Sequence, residues 1–311
     1  MKTDTMMQKK TYKVAGHLFA VEMDAGSFIW QKMEECYGPF EAGPDVSGDP
    51  VFSLVVTDDI DTGNLTPVYS NVGDHEPGFI DLNIFRTDDD GHFFEFIQPR
   101  SETVNGRMKI DGKFADAMLV LSGSHMHRWL TFNVAVDFCF LLSTSSLDTV
   151  LTHASAVVYE GRAYLFQGKS GTGKSTHSRM WQEALEGVEL MNDDHPVIRV
   201  NPDGSAYAYG SPWSGKTHCY KNMSAPLGGV IRIVRAPHNR ARRLSPIEAY
   251  ASLMTSCSGM TWDENQAHGR DRTMQRIISA TPCWAMECLP EAEAASVCRA
   301  AVTAPYKEDE A

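Results

Sequence analysis

Three glycines close together in Gly168-Lys169-Ser170-Gly171-Thr172-Gly173-Lys174-Ser175 constrain the fold more than any other stretch of the chain. The segment fits the pattern Gly, any four residues, Gly, Lys, then Ser or Thr. The apolar run Ala163-Tyr164-Leu165-Phe166 precedes it, and a helix-compatible stretch from Thr176 to Leu185 follows it. Strand, glycine loop and helix in that order form the context a phosphate-binding loop requires. Glycines let backbone N–H groups turn inward on phosphate oxygens with no side chain in the way. The helix N-terminus adds partial positive charge at the same point. In such a loop Lys174 reaches the terminal phosphates and the Ser175 hydroxyl holds Mg²⁺. The pattern therefore predicts nucleotide binding.

A chain of 311 residues has room for two domains or one large one. Its net charge of −12 advertises no basic face for nucleic acid, although Arg240-Ala241-Arg242-Arg243 is a local basic stretch. No run of eighteen apolar residues is present, so no membrane span is expected. The N-terminal Met1 to Lys10 lacks the apolar core of a signal peptide. The seven cysteines form no Cys-x-x-Cys pair, which argues against a zinc ribbon or a disulfide framework and for reduced thiols in a cytoplasmic protein.

Read in order, Thr11 to Met23 predicts a strand with a break at Gly16, Ser27 to Tyr37 a helix, and Val51 to Val56 a strand. Strands follow at Phe79–Phe85, after which Asp88-Asp89-Asp90-Gly91 is turn chemistry, and at His92–Ile97, Arg107–Ile110 and Ala117–Leu121. Together these suggest a meandering antiparallel sheet. Val134, Phe138, Leu141 and Leu142 then take helical spacing, with Asn133 as the cap, in a helix read as packing on the sheet that follows and marking the domain junction. The reading is a β-rich N-terminal domain over 1–132 and a nucleotide-binding catalytic domain over 133–311.

Within the second domain, His153 to Tyr159, the turn Glu160-Gly161 and Arg162 to Gln167 predict a hairpin that carries the glycine loop. Val197–Val200 and Ser205–Tyr209 predict another. Hairpins do not belong to the parallel alternation of the common nucleotide-binding sheet, so the expected fold is α/β (α+β) with a mixed, largely antiparallel sheet. Gly228–Val234 and Cys283–Cys288 complete the strands. Helices are expected at Ser245–Met254, with Ser245 capping, and at Glu291–Val302; Gln266–Arg276 is helix or loop, and Lys307–Ala311 a frayed tail.

A phosphate loop needs a carboxylate at the end of a second strand to order its metal. Val188 to Asp194 supplies one, ending in Asp193-Asp194, although Glu189 and Asn192 leave the strand imperfectly apolar. One carboxylate would order Mg²⁺ while the other accepts a hydroxyl proton. His153 opens the strand before the loop strand; it is either an ordinary surface or core histidine or one that tunes the acidic pair. Ser211 to Thr217 reads equally as a lid or acceptor loop and as a structural turn. Arg232, Arg235, Arg240, Arg242 and Arg243 are candidates for a phosphate clamp.

His153, the hairpin, the glycine loop and Asp193-Asp194 together resemble the catalytic domain of HPr kinase/phosphorylase. Ser170 to Thr176 and Asn192-Asp193-Asp194-His195 are also similar to the related phosphoenolpyruvate carboxykinases. Ser211–Lys216, Ala225-Pro226-Leu227 and Thr281–Val302 resemble a further group of bacterial HPr-kinase-like proteins. The resemblance implies a kinase that uses ATP and Mg²⁺ to phosphorylate a serine or other hydroxyl of a protein, peptide or small molecule. Carried over, Gly168, Lys169, Ser170, Gly171, Thr172, Gly173, Lys174, Ser175 and Thr176 bind the nucleotide, and Lys174, Asp193, Asp194 and His153 are catalytic. Ser175 and Asp194 hold the metal, and Asp193 is the base. The chain departs from the family at Thr176, where a glutamate is usual, which points away from HPr itself and from the reverse phosphorylase reaction. The other readings are a carboxykinase-like enzyme and a nucleotide-binding regulatory module without chemistry. The partners expected are a nucleotide and a phosphate acceptor, with no nucleic acid and no membrane; a homo-oligomer is left open.

Overall fold

The computed structural model describes residues 6–72, 80–99, 103–260 and 262–304. Phe79 and the tail expected at Lys307–Ala311 lie outside them. Contacts divide the chain into two units, residues 1–147 with 260–267 and residues 148–259 with 268–311. Both carry a multi-stranded mixed sheet with few helices.

The first unit opens with strands β1 (Met7–Val14) and β2 (His17–Asp24), paired antiparallel. The sequence suggested one strand broken at Gly16. Instead Ala15 (φ 50°) and Gly16 (φ 82°) form the two-residue, positive-φ turn that matches strand twist in a hairpin. Alanine is not a usual residue for that conformation, which hid the turn. Helix α1 (Phe28–Cys36), capped by Ser27, carries the chain to β3 (Phe52–Val56). The strands β4 (Leu65–Ser70), β5 (Asp81–Thr87), β6 (His92–Ile97), β7 (Val104–Ile110) and β8 (Asp116–Leu121) come next. The sheet order is β1-β2-β3-β8-β7-β6-β5-β4. From β4 to β8 it is the expected antiparallel meander. β3, however, lies parallel to both β2 and β8, a pairing that a crossover through α1 permits and a hairpin does not.

Helix α2 spans His125–Thr144 with Ser124 as its cap, longer than the predicted helix. Asn133 sits inside it, and its Oδ1 accepts from the Tyr37 hydroxyl at 2.8 Å. The helix packs on the preceding sheet: Phe138 lies against Phe94 and Phe96, Phe140 against Phe19, and Cys139 against Met108. It belongs wholly to the first unit, so the division falls after Leu147 rather than after residue 132. The apolar positions 132, 135, 136, 139 and 140 all face one way and are buried, so the face of α2 decides its unit.

The second unit contains β9 (Thr149–Leu151), β10 (Ala154–Tyr159), β11 (Arg162–Gln167), helix α3 (Lys174–Ala184), β12 (Glu189–Asp194), β13 (Val197–Val200) and β14 (Ala206–Tyr209). After them come β15 (Ser224–Arg235), β16 (Arg240–Arg243), α4 (Pro246–Met254), α5 (Glu264–Ala280, its first turn assigned to the first unit), β17 (Cys283–Cys288) and α6 (Ala292–Val302). The main path is β12-β10-β11-β15-β14-β13-β9, with β17 beside the C-terminal half of β15 and β16 beside β17. Strands β11, β15 and β17 are parallel; β10 is antiparallel to β11 and β12. Both predicted hairpins are present.

Helices cover both faces of this sheet. Phe166, Ile231, Ile233 and Met286 pack with Trp181 of α3 and Cys298 of α6, while Leu165, Val230 and Ala285 pack with Leu253 of α4 and Met274 and Ile277 of α5. The basic Arg240–Arg243 stretch is strand β16, antiparallel to β17. Arg242 grips Glu248 through two hydrogen bonds of 3.1 and 2.7 Å, and Glu248 also closes the capping box with Ser245. No helix among the described residues is long and apolar enough to cross a membrane.

Gly106 of β7 lies against α2 with no room for a side chain. A Cβ there would lie 2.6 Å from Thr131 Cγ2 and 2.9 Å from the Val120 carbonyl oxygen. Gly106→Ala is expected to destabilise the protein by about 1–3 kcal/mol through overpacking, measured by urea denaturation. Gly43→Ala, with open space around it, serves as the neutral control.

Candidate functional site

The loop after β11 needs its glycines. Gly168, Gly171 and Gly173 have φ of 151°, 74° and 111°, and a Cβ on Gly168 would lie 2.8 Å from Thr172 Oγ1. The Lys169 carbonyl accepts from both Thr172 N (3.2 Å) and Thr172 Oγ1 (2.8 Å), closing the turn. Lys174, 9% exposed, folds its Nζ back to the Gly168 carbonyl at 3.0 Å, and Arg235 donates to the Gly171 carbonyl. Lys169, Ser170, Gly171 and Ser175 are exposed, and Thr172, Gly173 and Thr176 half-buried. Helices α1, α2 and α4 have serine caps, whereas α3 starts at left-handed Gly173 with no side-chain cap. A helix start of this kind offers N–H donors and positive potential to an anion.

Strand β10 sets the distance from this loop to the acidic pair. Ala154 pairs with Gln167, the last residue before the loop, on one side and with Asp194 on the other. At about 4.8 Å between neighbouring strands, the two strand ends lie about 10 Å apart at one edge of the sheet. Asp193 pairs with Ser155, whose Oγ meets Ser178 Oγ of α3 at 2.6 Å, so Asp193 lies on the α3 side. Asp193 is buried, while Asp194 is more open.

Asn192 makes the strand imperfect in sequence because it organises the segment packed behind the strand end. It is fully buried; its Nδ2 donates to the Ser211 carbonyl, Ser211 Oγ and the Trp213 carbonyl at 3.1–3.3 Å, and its Oδ1 accepts from His195 N. Ser211 Oγ in turn donates to the His195 carbonyl at 2.6 Å. The Ser211–Thr217 segment is thereby fixed behind the acidic pair, with Gly215 N donating to the Asp193 carbonyl at 2.7 Å. The sequence singled out this segment, but Asn192 could have been found only by asking why an amide occupies a strand position beside two carboxylates.

His153 lies beside the pair, its Nε2 3.9 Å from Asp194 Oδ1. His195, which sequence reasoning left without a role, completes a group: ligand atoms of His153, Asp194 and His195 lie within 4.8 Å of one another. Two imidazoles and a carboxylate are a donor set suited to a divalent cation. Of the five arginines, Arg235 lies against the loop and Arg232 pairs with Gln167 in the sheet; Arg242 is engaged with Glu248.

His177, on the first turns of α3, is 1% exposed and accepts from Trp181 Nε1 through its Nε2 at 3.2 Å. Burial pushes its pKa down from 6.5 to about 4.

No family model matches the sequence, and no curated protein matches it. Among solved structures, the Hpr(Ser) kinase/phosphatase from Coxiella burnetii is similar over 49% of this chain and 89% of that one, at 12% sequence identity and a TM-score of 0.30. A likeness of that size decides neither fold nor activity.

The depressed His177 value gives stability a pH dependence. The folded chain keeps the ring neutral, so the unfolded chain takes up the extra proton first as pH falls. Stability is therefore full above about 6.5 and declines through the window down to about 4. At about 1.4 kcal/mol per unit the whole loss is roughly 3 kcal/mol. Chemical denaturation at pH 7 and 4.5 should show the native protein losing roughly 2–3 kcal/mol more than His177→Gln; equal losses would exclude a buried neutral ring.

Proposed function

We propose that the second unit is a nucleotide-dependent phosphotransferase: it binds ATP with Mg²⁺ and transfers the γ-phosphoryl group to a hydroxyl. The acceptor is a serine of a protein or peptide, or a small molecule. The observation that carries this reading is the register at Ala154, which brings the glycine loop and the acidic pair to the same sheet edge. The donor sets fit both groups. The loop precedes an uncapped helix start, and the Ser175 and Asp194 oxygens are the hard donors that Mg²⁺ takes, whereas the imidazoles of His153 and His195 are not magnesium ligands.

In this reading the N–H groups from Gly168 to Gly173 hold phosphate oxygens, with Lys169, Ser170 and Thr172 contributing backbone. Lys174 exchanges the Gly168 carbonyl for the terminal phosphates. Ser175 and Asp194 hold the metal, with Thr176 beside them. Mg²⁺, when bound, supplies neutralisation of phosphate charge. The acceptor oxygen bonds to the γ-phosphorus as the bond to the bridging oxygen of the leaving ADP breaks, and the hydroxyl proton passes to Asp193. His153 stands beside the acidic pair, its Nε2 3.9 Å from Asp194 Oδ1. Catalysis then rests on positioning and electrostatics, without a covalent intermediate on the protein.

Two variants test this with γ-labelled ATP and a cell lysate as the source of acceptor. Lys174→Ala should reduce label transfer by about 10²–10³-fold while circular dichroism stays unchanged; full transfer would sink the proposal. Asp193→Asn should keep ATP binding and lose transfer by about 10²–10⁴-fold. If Asp193→Asn transfers like the native protein, Asp193 is not the base. If the native protein binds ATP and labels nothing, the regulatory module is the better reading.

A further inference from the structure

Strand β16 lies at an edge of the second unit's sheet: among the described residues it pairs with β17 alone. Leu244 N, just past its end, donates to the Cys283 carbonyl at 2.9 Å. Hydrogen-bonded and open pairs alternate along an antiparallel ladder. The bonds are therefore exchanged by Arg242 with Ala285 and by Arg240 with Glu287, and Ala241 between them turns its N–H and C=O to the open side. An edge of this kind is a template for another strand.

A groove of about 960 Å³ runs beside β16, within the range of about 300–1,000 Å³ common for binding sites. Ala241, Arg242 and Arg243 line it, with Ala249 of α4 and Ile278 of α5 on one side and Val302 of α6 on the other. Ala249 and Ile278 pack on one face of the sheet and Val302 on the opposite face. The groove can therefore take the side chains of an added strand, which alternate between the two faces. Among the described lining residues two guanidiniums, Arg242 and Arg243, stand against one carboxylate, Glu248, on a chain whose net charge is −12. Cys283 and Trp284, at the start of β17, also line the groove. The glycine loop follows the carboxyl end of β11, in the same parallel set as β17. The 6 residues of β17, at about 3.3 Å each, put about 20 Å between the two places.

We propose that β16 docks an extended, acidic segment of a partner protein, which adds to the sheet as a further strand. One residue of the segment exchanges two backbone hydrogen bonds with Ala241. Its apolar neighbours fill the walls of the groove, and its carboxylates meet Arg240 and Arg243, the exposed residues on either side of Ala241. A second copy of the chain does not suit this edge. Two β16 strands side by side would set arginine beside arginine, and like charges across a strand pair are destabilising. The charges that keep the edge from pairing with itself select a strand of the opposite sign. The inference rests on the sheet and not on the glycine loop, and docking there leaves the phosphate site open.

Fluorescence anisotropy of the full chain with two labelled peptides tests it. Both have about six residues, the length of an ordinary strand, and blocked ends; one alternates Glu with Val and the other Lys with Val. The native protein should bind the Glu peptide at least about tenfold more tightly than the Lys peptide. Ala241→Pro removes the outward N–H and no ladder bond, a change an edge strand tolerates, and should weaken the Glu peptide by at least about tenfold. Arg243→Glu should reverse the preference between the two peptides, which a loss of folding would not do. If that variant does not fold, Ala241→Pro carries the test. Equal affinity for the two peptides, or Glu-peptide binding unchanged in Ala241→Pro, overturns the proposal, as does a native protein that binds neither. If the native protein binds neither but the chain carrying Glu308→Lys, Asp309→Lys and Glu310→Lys binds the Glu peptide, the occupant is the chain's own acidic end and the partner is ruled out.

Discussion

The second unit depends on one strand with two partners. β10 hydrogen-bonds to β11 and to β12, and its first residue, Ala154, faces the end of each. Backbone groups in a sheet interior must be paired, so the two ends cannot drift independently. The turn at Glu160 (φ 48°) and Gly161 (φ 73°) fixes the β10–β11 register. A slip of one residue would move Ser155 away from Ser178 and turn Asp193 to the opposite face. The irregularity between Ala156 and Val157 in the pairing with β12 lets that strand end where it does.

Around this ladder, buried polar groups act as fixings. Asn192 spends its whole amide on Ser211, Trp213 and His195, so the backbone behind Asp193 and Asp194 is held by hydrogen bonds from one side chain. Such a network is well ordered only when every member is satisfied, and Asn192 meets that condition. His177 does not: one ring nitrogen is matched to Trp181 and the other is left over. The contrast marks Asn192 as a group that builds the fold. Arg242 belongs with the builders, since its fork is filled by Glu248 at the start of α4.

In the first unit the buried face of α2 does the corresponding work. Its phenylalanines meet those of the sheet, with Phe19 stacked on Phe52 at 5.0 Å and edge-on to Phe140 at 6.2 Å. Much of this unit was readable: β6 runs over the predicted residues, and the turn at Asp88–Gly91 joins antiparallel neighbours. What the sequence misplaced was α2, assigned to the wrong sheet, and β3, read as part of the antiparallel meander but parallel to both of its neighbours. A helix stripe records that a face is buried but not which partner buries it. A short apolar strand likewise records burial but not direction.

The sequence by itself determined the local elements around the candidate site. Glycines at positive φ, the Glu160-Gly161 turn and the apolar runs of β11 and β15 are short-range demands, and a linear reading captures them. Only the tertiary structure decided which ends meet. His153, Asp194 and His195 come together because β10 and β12 are neighbours, although β11 and α3 intervene in the chain. The groove along β16 exists because β17, separated from it in the chain by α4 and α5, returns to pair with it. Pairing between distant strands is set by the packing of whole faces, and no window of neighbouring residues contains that information.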